Sequence, residues 1–128
     1  MQVLVVDDEA DIRELMAHWL RADGHDVVVA DGASSALAAV DEGVVPRAAV
    51  LDIDMPDVDG IELLHRLRER FPDLPALFVT VLWDADSLAR AAATGGKHLR
   101  KPFTRTRFCT AVRNLLVVAG GDPEGRDR

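Results

Sequence analysis

The most constraining stretch of this sequence is a run of four apolar residues, Ala48 to Leu51, that leads directly into Asp52. A short segment that is apolar throughout is typical of a strand buried on both faces, as in parallel sheets. Pro56 and Gly60 then interrupt the chain before the next helical pattern. In open α/β sheets, ligands bind beyond the carboxyl ends of the strands. We therefore expect the carboxylate of Asp52 to lie in a crevice at the end of a central strand.

Similar apolar segments alternate with helical patterns along the whole chain. We predict strands at 1–6, 27–30, 48–52, 76–80 and 97–100. Helical patterns follow them: core-facing apolar residues at 12, 15, 16, 19 and 20, an alanine-rich segment at 33–40, a helix that begins after residue 60 and closes at 71–72, a segment at about 84–93, and a last helix that Thr104 is placed to cap. Five strands that alternate with five helices predict an α/β fold with a parallel, doubly wound sheet.

Length and charge restrict the classes of function. A chain of 128 residues is long enough for one domain with a substantial core, which we assign to residues 1–118. Residues 119–128 are polar and rich in helix breakers, and we expect a flexible tail or a truncated linker there. The formal net charge of −7 would repel a phosphate backbone, so we exclude nucleic-acid binding by this domain.

The sequence also bears on where the protein works. No apolar run approaches the ~18 residues of a membrane span, and the N-terminus lacks the basic and apolar regions of a signal peptide. The single cysteine cannot form an internal disulfide, which fits a reducing cytosol. We therefore expect a cytoplasmic protein with no membrane partner.

Chemically active side chains are predicted at the carboxyl ends of four strands. Asp7 and Asp8 end the first strand, Asp52 the third, Thr80 the fourth and Lys101 the fifth. Crowded carboxylates repel one another, and Mg²⁺ suits one or two carboxylates together with waters and a phosphate oxygen. The ammonium of Lys101 and the hydroxyl of Thr80 are suited to two oxygens of a phosphoryl group. Asp52 is the deepest and most central carboxylate, which favours it as the nucleophile.

Four motifs occur in order along the chain: Val-Val-Asp7-Asp8-Glu9, Val-Leu-Asp52-Ile-Asp54-Met-Pro-Asp-Val-Asp59-Gly60, Phe-Val-Thr80 and Lys101-Pro-Phe. Together they resemble the receiver domain of two-component response regulators, of the chemotaxis-receiver type, over about residues 2–118. The resemblance implies a flavodoxin-like sheet of strand order 2-1-3-4-5 with helices on both faces. It also implies that Asp52 takes a phosphoryl group, with Mg²⁺, from the phosphohistidine of a histidine kinase or phosphotransfer protein.

The same resemblance implies roles for individual residues. Asp7, Asp8, the side chain of Asp52 and the backbone carbonyl of Asp54 would hold Mg²⁺. Thr80 and Lys101 would cover the remaining phosphoryl oxygens, and the Lys101–Pro102 bond would be cis. Thr80 and His98 would form the switch. The face of the fourth helix, fifth strand and last helix would then signal to a downstream protein, an effector domain or a second copy. Such a domain is not an enzyme in the ordinary sense, since it catalyses only its own phosphorylation and dephosphorylation.

Some residues depart from the family pattern or remain ambiguous. Val81 stands where the family usually has Ala, Gly or Ser, and its branched side chain would narrow the path to Asp52. His98 stands where Tyr or Phe is common, and Trp83 is expected to be exposed in the loop after Thr80. The basic segment 97–101 is either a solvated edge or a docking face for an acidic partner.

Two other functions compete with this interpretation. Asp52-Ile53-Asp54 after an apolar strand also resembles the Asp-x-Asp of haloacid-dehalogenase-type phosphatases, but Pro56 replaces the usual Thr or Val, and there is no room for a cap domain. A degenerate receiver that acts only as a binding module is the second alternative. The intact set of acidic residues, hydroxyl and lysine argues against it.

Overall fold

The structure is a computed structural model that describes residues 2–81 and 84–120, with only the main chain for 118–120. Five parallel strands form one sheet in the order β2-β1-β3-β4-β5. The strands are β1 (Gln2–Val6), β2 (Val27–Ala30), β3 (Pro46–Asp52), β4 (Ala76–Thr80) and β5 (Lys97–Arg100). The helices are α1 (Ala10–Ala22), α2 (Ala33–Asp41), α3 (Gly60–Arg68), α4 (Ala85–Ala93) and α5 (Arg105–Gly120). The predicted fold class and strand order are confirmed.

The central strand β3 has a hydrophobic layer on each side, which explains its uninterrupted apolar sequence. Ala49 and Leu51 pack with α2, α3 and Ala91 of α4. Ala48 and Val50 face the opposite layer, which is filled from α1 and α5. A strand that is covered on both faces needs apolar residues at every position rather than at alternate ones. Asp52 is therefore positioned by a strand that is packed on both faces and shielded from solvent.

Several details of the elements differ from the predictions. The helix α3 ends at Arg68, before the predicted end at 71–72. β3 begins at Pro46, two residues before the predicted start, and pairs there with Gln2 across an irregular register. Proline is compatible with the first residue of a strand, where a missing N–H costs little. In α1, Leu15 belongs to the predicted core stripe but is 41% exposed, because Met16 and Leu20 lie on the line that meets the sheet.

The C-terminal region begins with the predicted cap. The hydroxyl oxygen of Thr104 accepts a hydrogen bond from the N–H of Arg107 at 3.1 Å, in the first turn of α5. This helix continues through Gly120, so that residues 119 and 120 of the predicted tail are helical. Residues 121–128 lie outside the described part of the chain, and the domain boundary at 118 stays a prediction. Within the described residues, no helix is both long enough and apolar enough to cross a bilayer.

Candidate functional site

Four strand ends bring the predicted site residues to one edge of the sheet. Asp52 and Thr80 are the last residues of β3 and β4, and Asp7 and Lys101 directly follow β1 and β5. Asp7, Asp52 and Thr80 are 0%, 4% and 1% exposed, whereas Asp8 is exposed. Burial of two carboxylates side by side is unfavourable without a cation. The site is therefore built to hold positive charge.

An acidic cluster lies at the centre of this edge. Carboxylate oxygens of Asp7, Asp8 and Asp52 all lie within 4.8 Å of one another. The donor atoms are all hard oxygens from carboxylates, which is the chemistry that suits Mg²⁺ rather than a softer metal. The residues present thus fit a divalent cation. The N–H of Asp54 donates to Asp52 Oδ1 at 3.3 Å, which brings the main chain of Asp54 beside the same cluster.

Lys101 supplies the positive charge in the described structure. Its Nζ lies 2.9 Å from Asp7 Oδ2, 3.2 Å from Glu9 Oε1 and 3.5 Å from Asp52 Oδ2. Burial acts to lower the pKa of Lys101, but the hydrogen bond to Asp7 and the charges of Asp52 and Asp7 outweigh it, so that the pKa lies above its ordinary value. The ammonium thus stays charged and is aimed at the buried carboxylates.

The acidity of the Asp52 carboxyl group is strongly altered. Burial, followed by the charge of Asp7, raises the pKa of Asp52 to about 7, against the opposing effect of Lys101. A bound divalent cation would favour the ionised, nucleophilic form. Asp52 therefore combines a buried position with a charge that depends on its neighbours, which is common at functional sites.

The main chain around Asp7 is fixed by a residue that the sequence analysis missed. The guanidinium of Arg13 donates to the carbonyl oxygen of Asp7 at 3.0 Å, and the N–H of Glu9 donates to Asp7 Oδ1 at 2.9 Å. The N–H of Asp7 donates to the carbonyl of Ala30 in β2 at 3.2 Å. In the sequence, this contact is indicated only by the position of Arg13 in the helix that follows the acidic end of β1. Such a position is a weak indication by itself.

The loop between β3 and α3 is also tied to the site. Gly60 lies so close to Asp52 that a β-carbon on Gly60 would overlap the carbonyl oxygen of Asp52. Asp59 caps α3 through a bond from the N–H of Glu62 at 2.8 Å, and its second oxygen accepts from Arg90 of α4 at 2.9 Å. The phosphoacceptor candidate is thus connected through this loop to α4. The Arg90 contact was not predicted.

The remaining predicted residues lie around this centre. His98 is exposed on β5 opposite Phe78, and Val81, directly after Thr80, is 62% exposed. The basic segment is divided, because Lys97, His98 and Arg100 are exposed while the side chain of Lys101 is 10% exposed and turns into the site. The Lys101–Pro102 bond is cis, as expected. Trp83 lies outside the described residues, so its exposure stays a prediction.

Comparisons with known proteins agree with this geometry. Residues 3–113 match the response regulator receiver domain family. The chain is 39% identical over 120 residues to a probable transcriptional regulatory protein of Mycobacterium tuberculosis, TcrX, and the match covers 92% of this chain and 50% of that protein. It is 37% identical over 121 residues to an uncharacterized 14.6 kDa protein of Leptolyngbya boryana, with 92% of both chains covered.

A solved structure shows the same similarity. The receiver domain of NtrX from Brucella abortus is similar with a TM-score of 0.81 and 34% identity, over 90% of this chain and 98% of that chain. The chain spans about half the length of TcrX and of a second curated relative, TrcR of Mycobacterium tuberculosis. Neither the phosphatase alternative nor the binding-module alternative finds support in these matches.

Proposed function

This chain belongs to the response regulator receiver family, and from that premise we propose that Asp52 is its phosphoacceptor. The observation that carries the proposal is the position of Asp52 at the end of the central strand, beside a second buried carboxylate and 3.5 Å from the ammonium of Lys101. A partner histidine kinase or phosphotransfer protein would present the phosphoryl group on a histidine. The Asp52 oxygen then forms a bond to phosphorus while the phosphorus–nitrogen bond breaks, and the leaving imidazole takes up a proton.

The residues of this chain contribute mainly by position and charge. Phosphoryl transfer has a loose, in-line transition state with charge spread over three oxygens, so that catalysis requires alignment and neutralisation. The ammonium of Lys101 and the hydroxyl of Thr80 would each neutralise or bind one of these oxygens. The pKa of Lys101 lies above its ordinary value, which keeps the ammonium charged throughout.

Receiver domains generally bind Mg²⁺ at an acidic pocket, and the cluster of Asp7, Asp8 and Asp52 is the acidic pocket of this chain. We propose that these side chains, with the backbone carbonyl of Asp54, hold the ion. When bound, Mg²⁺ supplies charge neutralisation at a phosphoryl oxygen. Arg13 and the N–H of Glu9 keep Asp7 in place as a ligand, because they bind its carbonyl oxygen and its Oδ1.

Phosphorylation would act as a switch. Aspartyl phosphate adds charge and acceptor oxygens, which attract Thr80 and Lys101. Movement of Thr80 and of His98 would alter the face formed by α4, β5 and α5. We propose that this face signals to a downstream protein, an effector domain or a second copy of the chain, and that the protein works in the cytoplasm. TcrX and TrcR are named as transcriptional regulatory proteins and are about twice as long as this chain, whereas the protein of Leptolyngbya boryana is matched over 92% of its length, so relatives of both lengths occur.

The test is intact mass after exposure to acetyl phosphate and Mg²⁺. We expect the wild type to gain one acid-stable, base-labile phosphoryl group, and Asp52→Asn to gain none. Asp54→Asn is a matched control, since it removes an exposed carboxylate two residues away and leaves the backbone carbonyl intact. Undiminished labelling of Asp52→Asn would place the phosphoacceptor elsewhere. Sustained turnover of small phosphate monoesters would instead favour the phosphatase alternative.

A further inference from the structure

The carboxylate of Glu9 is a third partner of Lys101, and it has no role in the phosphoryl transfer proposed for Asp52. Its Oε1 lies 3.2 Å from Lys101 Nζ, between the distances to Asp7 and Asp52. The side chain of Glu9 is 68% exposed, whereas those of Asp7 and Asp52 are 0% and 6% exposed. Glu9 is therefore the partner of Lys101 that lies on the solvent side of the site.

The carboxylate of Glu9 does not cap α1. Glu9 is the N-cap residue of that helix, but its side chain makes no capping hydrogen bond. The corresponding residues of α3 and α4, Asp59 and Asp84, each accept a capping bond of 2.8 Å. An N-cap side chain usually contributes by satisfying a free N–H in the first turn. Glu9 instead reaches across to a residue 92 positions away.

The contact has a consequence for any incoming phosphoryl group. Lys101 can assist transfer to Asp52 only if its ammonium meets a phosphoryl oxygen. The Glu9 carboxylate, which is 68% exposed, binds that ammonium at 3.2 Å, so we infer that a donor arriving from solvent meets Glu9 beside Lys101. A donor that carries two negative charges is repelled by Glu9 and must displace it from Lys101. A donor whose leaving group brings a positive charge is repelled less, because one charge of the phosphoryl group is offset.

We propose that Glu9 is a specificity-determining residue of this receiver, which disfavours dianionic phosphodonors and favours donors whose leaving group is cationic. The proposal rests on the proposed function of Asp52. Acetyl phosphate is dianionic at neutral pH: the Asp52 oxygen bonds to phosphorus, the bond from phosphorus to the acetyl oxygen breaks, and acetate leaves. Phosphoramidate carries a protonated nitrogen: the Asp52 oxygen bonds to phosphorus, the phosphorus–nitrogen bond breaks, and neutral ammonia leaves with the electron pair of that bond.

The experiment measures the initial rate of Asp52 phosphorylation by intact mass, with each donor at the same Mg²⁺ concentration. The readout is the ratio of the acetyl phosphate rate to the phosphoramidate rate. One unit of charge near 4 Å is worth roughly a fivefold change in rate in water, so we expect Glu9→Gln to raise this ratio about fivefold. Asp11→Asn is the matched control, since it removes an exposed carboxylate from the first turn of the same helix. Its ratio should change less than about twofold, because the residue does not contact Lys101.

The outcomes separate this proposal from the function on which it rests. Labelling of wild-type Asp52 by phosphoramidate supports the phosphoacceptor role whatever Glu9 does. If Glu9→Gln then leaves the donor ratio unchanged, or accelerates both donors equally, the specificity role of Glu9 is overturned. An equal rise of the ratio in Asp11→Asn would also overturn it, because the effect would belong to local charge rather than to the contact with Lys101.

Discussion

Gly60, the first residue of α3, packs directly against the main-chain carbonyl of Asp52, and no side chain fits between them. The N–H of Gly60 also donates to the carbonyl of Ile53 at 3.0 Å. The first residue of α3 therefore packs against the end of β3, where the phosphoacceptor candidate Asp52 lies. This support is main chain against main chain, so it cannot adapt by changing a rotamer.

We expect Gly60→Ala to lower the free energy of unfolding by about 1–3 kcal/mol, because the new methyl group forces the backbone apart. Phosphorylation of Asp52 should slow as its carboxylate moves from Lys101. Gly32→Ala is the control, since a β-carbon there meets nothing within 4 Å and the backbone is extended. Urea unfolding and intact-mass labelling measure the two effects. A Gly60→Ala variant with wild-type stability and labelling would contradict the close contact.

The raised pKa of Asp52 predicts how stability depends on pH. The pKa is about 7 in the folded protein and 3.8 ordinarily, so between these values the folded state holds a proton that the unfolded state has lost. Stability conferred by that proton is lost as the pH rises through the folded pKa. Asp52→Asn removes this dependence, and without metal it should be more stable than the wild type at about pH 8, on the order of 1–4 kcal/mol.

The difference between the two proteins should shrink toward about pH 4, where both side chains are neutral. Urea unfolding in a chelator, across this range, measures it. Addition of Mg²⁺ at about pH 8 should stabilise the wild type more than Asp52→Asn, since the cation offsets the paired carboxylates. Parallel pH profiles for the two proteins would show that Asp52 is not held in an unfavourable charged state.

The ion pair between Arg90 and Asp59 predicts a link from the site to α4. Both side chains are partly exposed, so Arg90→Met should change the free energy of unfolding by less than about 1 kcal/mol. Amide hydrogen exchange in α4 should nevertheless become faster, because the helix loses its tie to the β3–α3 loop. Arg70→Met is the control, since it removes a comparable surface pair with Asp41 at 2.8 Å. Unchanged exchange in α4 would rule out the link.

An aromatic cluster beside Lys101 should make the fluorescence of Trp19 sensitive to movement of the chain around Lys101. Phe103 follows Lys101 by two residues, lies edge-on to Trp19 at 6.3 Å between ring centroids, and stacks on Phe108 at 5.3 Å. In a Trp83→Phe background, the emission of Trp19 should change when beryllofluoride and Mg²⁺ are added, as Lys101 is drawn toward Asp52. Phe103→Leu should weaken the change without preventing phosphorylation of Asp52. A full response in Phe103→Leu would exclude this route.

The sequence by itself determined the fold and the meeting of the main site residues. Alternating apolar segments and helical patterns require a parallel sheet, and in such a sheet every strand ends at the same edge. Asp7, Asp52, Thr80 and Lys101 were therefore expected at one edge of the sheet, and the strand order that makes their strands neighbours was implied by the resemblance to receiver domains. The length of β3 and the exposure of Leu15 could not be predicted from the sequence. They depend on how far each strand pairs and on how α1 is rotated against the sheet.

The contacts that refine the site were decided only by tertiary structure. Glu9 reaches Lys101 across 92 positions, and Arg90 reaches Asp59 across 31. The overlap that excludes a side chain at Gly60 depends on the path of the chain between Asp52 and α3. Periodicity reports which face of an element is buried, but such contacts depend on rotation, crossing angle and rotamer. For that physical reason, the partners of Lys101 and of Asp59 became visible only in three dimensions.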